Sequence, residues 1–248
     1  MWSLLPGIRG QSLRTRFPLP GSLWATETGI PTRPPGCAIE TTGHTILGMS
    51  TRRTENFPDK LLEAGVTLFA EKGFHGTGVK DIVERAGVPK GSFYNYFDSK
   101  EAFGAAILRH YADLQAAEWQ QYSREADSPD PLLALRTIYE RIVADYEACD
   151  DRYGCLLGNF AGEIAQSSEL CRTTARQTVD EWRVGFAEYL RRGQKYGSVR
   201  DDLSADALAD FFWNAWEGSL LRMKLEDSIE PLKACVHLMF DLFFRSAR

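Results

Sequence analysis

Lys90, Gly91, Ser92, Tyr94, Asn95 and Tyr96 crowd a cation, a hydroxyl, two phenols and an amide into one short stretch between Pro89 and Phe97. Phe93 and Phe97 are four apart, so a helix here would bury both on one side and turn Lys90, Gly91, Tyr94 and Asn95 outward. Such a face suits a DNA major groove, because glycine lets the backbone approach and the polar side chains reach base edges and phosphates. Upstream, Thr77 is placed to cap the preceding helix of the pair and to offer its hydroxyl or N–H to a phosphate. Lys80, Tyr96 and Lys100 are placed for contacts to the DNA backbone. The same pattern also fits an ordinary helical hairpin whose aromatic residues are all core.

A second stretch, Gly154-Cys155-Leu-Leu-Gly-Asn-Phe-Ala-Gly-Glu163, opens a helix with a cysteine in its first turn. Free N–H groups and the positive end of the helix dipole favour a thiolate there, while Asp150 and Asp151 oppose it. Lys224 follows Trp213 by eleven residues and Leu220 by four, on the side of its helix that carries both. An ammonium near Cys155 would lower the thiol pKa, and a sulfenic acid formed there could be captured by a nearby nitrogen. The plainer alternative makes Cys155 a small buried hydrophobe and lets Lys224 snorkel to solvent. Trp182, Phe186, Trp213 and Trp216 offer instead a pocket for reversible binding of an apolar or carboxylate molecule.

Little else in the chain suggests chemistry. Cys37, Cys149, Cys155, Cys171 and Cys235 are odd in number, irregularly spaced and without a CxxC pair, which fits neither a disulfide framework nor a zinc site. Cys149, Cys171 and Cys235 read as packing residues, and a reducing cytoplasm is the expected compartment. His44, His75, His110 and His237 are scattered, so no metal and no other cofactor is expected. No base stands in a motif beside Cys155, and no Gly-rich or Ser-His-Asp pattern occurs elsewhere, which argues against an enzyme. Charge breaks every apolar run before it is long enough to cross a bilayer, so no membrane partner is expected.

These residues need a scaffold, and the hydrophobic period supplies one. Apolar residues recur at helical spacing from Phe57 onward, and no credible strand is visible. Helices are expected over 57–72, 78–86, 90–96, 99–125, 130–149, 155–166, 168–194, 204–225 and 230–246, separated by Lys72-Gly73, Ala86-Gly87, Ser128-Pro129, Tyr153-Gly154 and Glu230-Pro231. Gly87 supplies a positive φ and Pro89 starts the next helix, so 77–97 reads as two short helices around a tight turn. The fold class is therefore all-α.

Residues 1–48 are rich in Pro, Gly, Thr and Ser without periodicity and read as disordered. The expected division is an extension over 1–50, a DNA-binding head over 51–111 and a second helical domain over 112–248. Arg9, Arg14 and Arg16 with no acid among the first 26 residues faintly resemble a transit peptide; the favoured reading is a start at Met49. The net charge of −5 is uneven: four basic residues stand against two acidic over 1–50, nine against eight over 51–110, and 16 against 24 over 111–248. Overall acidity thus does not exclude a local DNA-binding face.

The run from Leu61 to Phe103, with Phe69-x-x-x-Gly73-Phe74, Thr77, Val79, Ile82, the Ala-Gly-Val turn and Lys90-Gly-Ser-Phe-Tyr-x-Tyr-Phe-x-x-Lys-Glu-Ala-Phe, closely resembles the DNA-binding domain of TetR/AcrR-family regulators. The resemblance implies an Ω-shaped homodimer with an N-terminal three-helix head holding the helix-turn-helix and a C-terminal effector and dimerisation domain. It implies double-stranded DNA with a palindromic operator, a second copy and a small-molecule effector as partners, and a repressor as the activity. The apolar helices 204–225 and 230–246 resemble the family's two-fold four-helix interface. The Cys155 stretch resembles the branch that answers electrophiles and oxidants, and the similar acrylate-responsive regulators. Release by a small electrophile or oxidant at Cys155 is therefore expected, with the reversible pocket as the alternative.

Overall fold

The computed structural model describes residues 57–149 and 152–246. The expected disorder of 1–50, the start at Met49 and the influence of Asp150 and Asp151 all lie outside the described residues. The elements are α1 (Phe57–Gly76), α2 (Val79–Ala86), a 3-10 helix (Lys90–Asn95), α3 (Lys100–Glu125), α4 (Pro131–Ala148), α5 (Leu156–Ile164), α6 (Glu169–Tyr196), α7 (Ala205–Glu226) and α8 (Glu230–His237), which runs on as a π turn over Leu238–Phe243. Among the described residues the extended pairing is confined to one bridge, Val199 with Arg245.

Short polar side chains begin most of the helices. Ser99 Oγ accepts from the Ala102 N–H, Asp130 Oδ1 from Leu132, Ser168 Oγ from Cys171 and Ser204 Oγ from Ala207. Each satisfies a first-turn N–H that has no intrahelical partner, worth about 1 kcal/mol. Pro131 follows its cap directly, where a missing N–H costs nothing. Left-handed glycines close the other ends: Gly87 at φ 64 after α2 and Gly197 at φ 93 after α6.

The head is built on phenylalanine. Phe103 in the first turn of α3 meets Phe93 at 5.1 Å, Phe97 at 4.8 Å and Phe69 at 5.8 Å between ring centroids. Leu61, Leu68, Ile82, Val83 and Val88 close around these rings. Losing one fully buried ring such as Phe93 or Phe103 would cost about 3–5 kcal/mol.

A second aromatic cluster is built by α4, α6, α7 and the segment after α8. Phe186 stacks on Phe212 at 4.5 Å, and Tyr139, Trp216, Phe240 and Phe244 complete the cluster. The 26-residue α3 serves both cores, with Phe103 and Ile107 in the head and Tyr111 and Tyr122 beyond it. It passes unbroken through the boundary expected at 111/112.

Candidate functional site

Two sites emerge, one on the head and one at the start of α5. On the head, Asp81 accepts the Gly78 N–H at 2.8 Å and so begins α2. Pro89 starts the second helix, whose first bond runs from Ser92 N–H to the Pro89 carbonyl at 2.8 Å. That helix is 3-10 rather than α, because its bonds close three residues back and Gly91 contributes little helical preference. Its outer side carries Lys90, Gly91, Tyr94, Asn95 and Tyr96, all exposed, with Tyr94 at 64%. A Cβ on Gly91 would meet nothing within 4 Å, so this backbone is open to a close partner. Lys80 stands exposed on α2, loosely paired with Glu84 at 3.7 Å.

Three residues expected on this face sit elsewhere. Thr77 is buried, and its hydroxyl donates to the carbonyls of Gly73 at 2.8 Å and Leu68 at 3.2 Å, while Gly78 occupies the cap position of α2. Its role is to tie the end of α1 back onto the helix across the bend at Gly73. Ser92 is buried beside Phe93 and does not point outward. Lys100 is partly buried with its Nζ 4.3 Å from the Phe74 ring centre, and burial lowers its pKa.

At the second site, Gly154 turns the chain into α5 at φ 72, a conformation open to glycine, and packs under the Lys224 stem. Arg152 Nε grips Asp227 at 3.0 Å and fixes this segment on the end of α7. Cys155 caps α5. A cavity of about 200 Å³ is lined by Cys155, Gly158, Asn159, Glu217, Leu220 and Lys224, with Gly154 and Leu221.

The electrostatics reverse the expectation for the thiol. Lys224 Nζ donates to Asn159 Oδ1 at 3.0 Å, and Asn159 Nδ2 donates to the Tyr153 carbonyl at 3.1 Å. Glu217, not Lys224, stands with Cys155 at the start of α5, and both line the cavity beside Gly158. Burial and that carboxylate push the thiol pKa well up, and the Gly158 and Leu157 N–H groups offset this only in part. The helix start is present but too weak to win against burial.

The four expected effector aromatics are not brought together around this cavity. Phe186 and Trp216 belong to the core stack, whereas Trp182 and Trp213 pair at 5.6 Å and are half-buried. Glu217 was the residue missed from the sequence. It lies four residues after Trp213 and seven before Lys224, so it falls on the same apolar stripe.

The far end of α5 reaches the head. Phe160 contacts Phe69 at 5.4 Å and Phe74 at 5.8 Å. Glu163 Oε2 accepts the His75 N–H at 3.0 Å, and the same carboxylate fills the space over Gly73, which bends α1 at φ 74. Only a residue without a Cβ fits there, since one would come 2.3 Å from Glu163 Oε1.

Residues 61–107 match the family described as bacterial regulatory proteins, tetR family, and residues 131–239 match the tetracyclin repressor-like C-terminal domain. This chain belongs to the TetR family. It is 38% identical to the HTH-type transcriptional repressor DhaR of Mycobacterium sp. (strain GP1), over 75% of this chain and 91% of the relative. To the repressor NemR of Escherichia coli (strain K12) it is 33% identical, over 71% and 87%. A solved regulatory protein TetR from Rhodobacter sphaeroides superposes with a TM-score of 0.68 at 32% identity, covering 74% of this chain and 96% of that one.

As a TetR-family repressor the chain acts on operator DNA as a homodimer that answers a small-molecule effector, and it is a regulator rather than an enzyme. Among the described residues no helix is long and apolar enough to cross a membrane. Phe211, Leu221, Leu225, Leu238 and Leu242 stand exposed on α7 and the segment after α8.

Proposed function

We propose that this repressor reads a palindromic operator through Lys90, Gly91, Tyr94, Asn95 and Tyr96, and leaves it when a small electrophile or oxidant modifies Cys155. The head is assigned to residues 51–111 and the effector and dimerisation domain to 112–248, with the cytoplasm as the working compartment. Lys80 contributes a phosphate contact, while Thr77 holds the end of α1. Lys100 adds charge at the edge of the head rather than a direct contact.

One observation carries the effector reading: Cys155 lines a cavity at one end of α5, and Glu163 at the other end holds His75 and Gly73 beside the helix-turn-helix. Bulk added at Cys155 pushes on a helix of nine residues, whose displacement changes the position of the head. The likeness to NemR supports the same reading.

The test is a gel shift on DNA from upstream of the protein's own gene, with and without N-ethylmaleimide. Cys155→Ser is expected to bind as the parent does and to stay bound after treatment. Release of Cys155→Ser at the parent's dose would replace the thiol switch with reversible binding in the same cavity, where Lys224 could receive a carboxylate.

A further inference from the structure

The account of Cys155 leaves Glu217 without a task. Its carboxylate lies against the first turn of α5, with Oε2 2.8 Å and the Cys155 Cβ 3.8 Å from where a Cβ on Gly158 would stand, and both residues line the same cavity. Gly158 is thus the opening through which α7 reaches the thiol. Among the described residues no cation pairs with Glu217, since the nearby Lys224 is turned to Asn159. Even half-buried, a carboxylate without a counter-charge is costly to keep ionised and calls for a use.

We propose that Glu217 is the proton acceptor that lets Cys155 add to small α,β-unsaturated carbonyl compounds. The proposal rests on the reading of Cys155 as the switch. The thiolate is the nucleophile, and a buried thiol reacts only if its proton has somewhere to go as the bond forms. Glu217 is the carboxylate that lines the same cavity beside the thiol.

In the step, sulfur bonds to the β carbon while the thiol proton passes to the Glu217 carboxylate. The electron pair of the C=C bond moves toward the α carbon and the carbonyl oxygen, where Lys224 has N–H donors beyond the one given to Asn159. The proton on Glu217 then goes to the α carbon, leaving a thioether and a restored carboxylate. No oxidant or reductant is consumed. A cavity of about 200 Å³ is below the roughly 300–1,000 Å³ of sites for drug-sized ligands, so the compounds admitted are small.

The groups facing the pair are Tyr111 from α3, Tyr139 and Tyr146 from α4 and Lys224 from α7. Burial pushes all three phenols up, so they stay neutral through the working range. Burial raises the Glu217 pKa as well; of the groups around the thiol it is the carboxylate that, once ionised, can take the proton.

The experiment measures the rate at which methyl vinyl ketone adds to Cys155 in the full-length protein, by mass spectrometry, from about pH 5 to pH 10. In the parent the rate is expected to rise as Glu217 ionises and then to level off before the thiol itself titrates. Glu217→Gln, which keeps the size but cannot take a proton, is expected to react at least about tenfold more slowly at neutral pH, with a rate that climbs to the alkaline end without levelling. Glu217→Asp should recover part of the rate and the plateau.

A parent rate that climbs without a plateau overturns the proposal using the native protein alone. So does Glu217→Gln reacting with the parent's rate and profile; Cys155 then remains the switch with another route for its proton. If Cys155 takes up the ketone but operator DNA stays bound, the reading of Cys155 as the switch fails, and this outcome is separate from the rate profile.

Discussion

Glu163 Oε2 lies 3.0 Å from the His75 backbone nitrogen, joining residues 88 apart in the chain across the junction of α5 and α1. The His75 ring meets the Glu163 carbonyl as well, at 3.2 Å. This double contact holds the last turn before the helix-turn-helix to the helix that starts at Cys155. Glu163→Ala removes the carboxylate from over Gly73 and should uncouple the two ends. Its expected effect is a flattened response: Cys155 is modified at the parent's rate, but the loss of operator affinity shrinks by about 1–3 kcal/mol, the usual size of such couplings. Fluorescence anisotropy on operator DNA before and after modification measures it, and an unchanged response would remove Glu163 from the route.

The exposed face of the 3-10 helix predicts a division of labour among cations and phenols. Tyr94→Ala and Lys90→Ala should each weaken specific binding by about 1–3 kcal/mol without altering the helical circular-dichroism spectrum. Lys80→Ala should weaken all DNA sequences alike and lower the salt dependence. Lys100→Ala should chiefly destabilise the head, by about 0.5–2 kcal/mol, because its ammonium lies over Phe74. Thermal melts separate that loss from a loss of affinity.

Much of this was legible from sequence, for physical reasons that differ by element. The turn at Gly87 and the helix starts near 99, 130, 168 and 204 follow from local chemistry, which short stretches of chain determine, whereas α6 runs past the expected end at 194 to the Gly197 cap. Which side of the 90–96 helix faces out follows from Phe93 and Phe97 alone. Thr77 misled because a hydroxyl at a helix boundary can satisfy either the donors ahead or the carbonyls behind, and here it turned back to Gly73 and Leu68. Cys155 misled because its pKa depends on what crosses from α7. Lys224 and Glu217 share one stripe, and only the packing decides which meets the sulfur. Phe186 and Trp216 read as a ligand cage until Phe212 and Tyr139 are seen to fill it.

Phe240 is buried within its own subunit, so a charge there would unfold the chain, and the dimer face is better probed at exposed residues. Leu242 is 63% exposed and stands with Leu238 beyond α8. Leu242→Asp should therefore leave the fold intact and dissociate the dimer, because pairing would bury an unpaired charge. Sedimentation at micromolar concentration checks it. A stable Leu242→Asp dimer would place the interface elsewhere.

A pH dependence of stability follows from the contact of α3 with α4. The Tyr122 hydroxyl lies between Glu118 Oε1 and Asp145 Oδ2, and Arg141 meets Asp145 at 3.4 Å. One hydroxyl proton cannot serve two carboxylates, so a proton on Glu118 completes the set. Burial holds Glu118 at about 7, above its ordinary 4.5. The folded chain thus keeps a proton that the unfolded chain releases, and its contribution to stability is full below the unfolded value and lost as pH rises through the folded one. Urea midpoints should fall from about pH 5 to pH 8, and Glu118→Gln should flatten that fall. Tyr122→Phe should cost about 1–3 kcal/mol at neutral pH by leaving both carboxylates short of a donor.

Protein purified with a single adduct at Cys155, and assayed for operator affinity, shows whether one modification releases DNA. A loss of about a hundredfold, equivalent to about 2.7 kcal/mol, is expected, with the dimer and its helical content intact. Unaltered affinity in protein fully modified at Cys155 would contradict it.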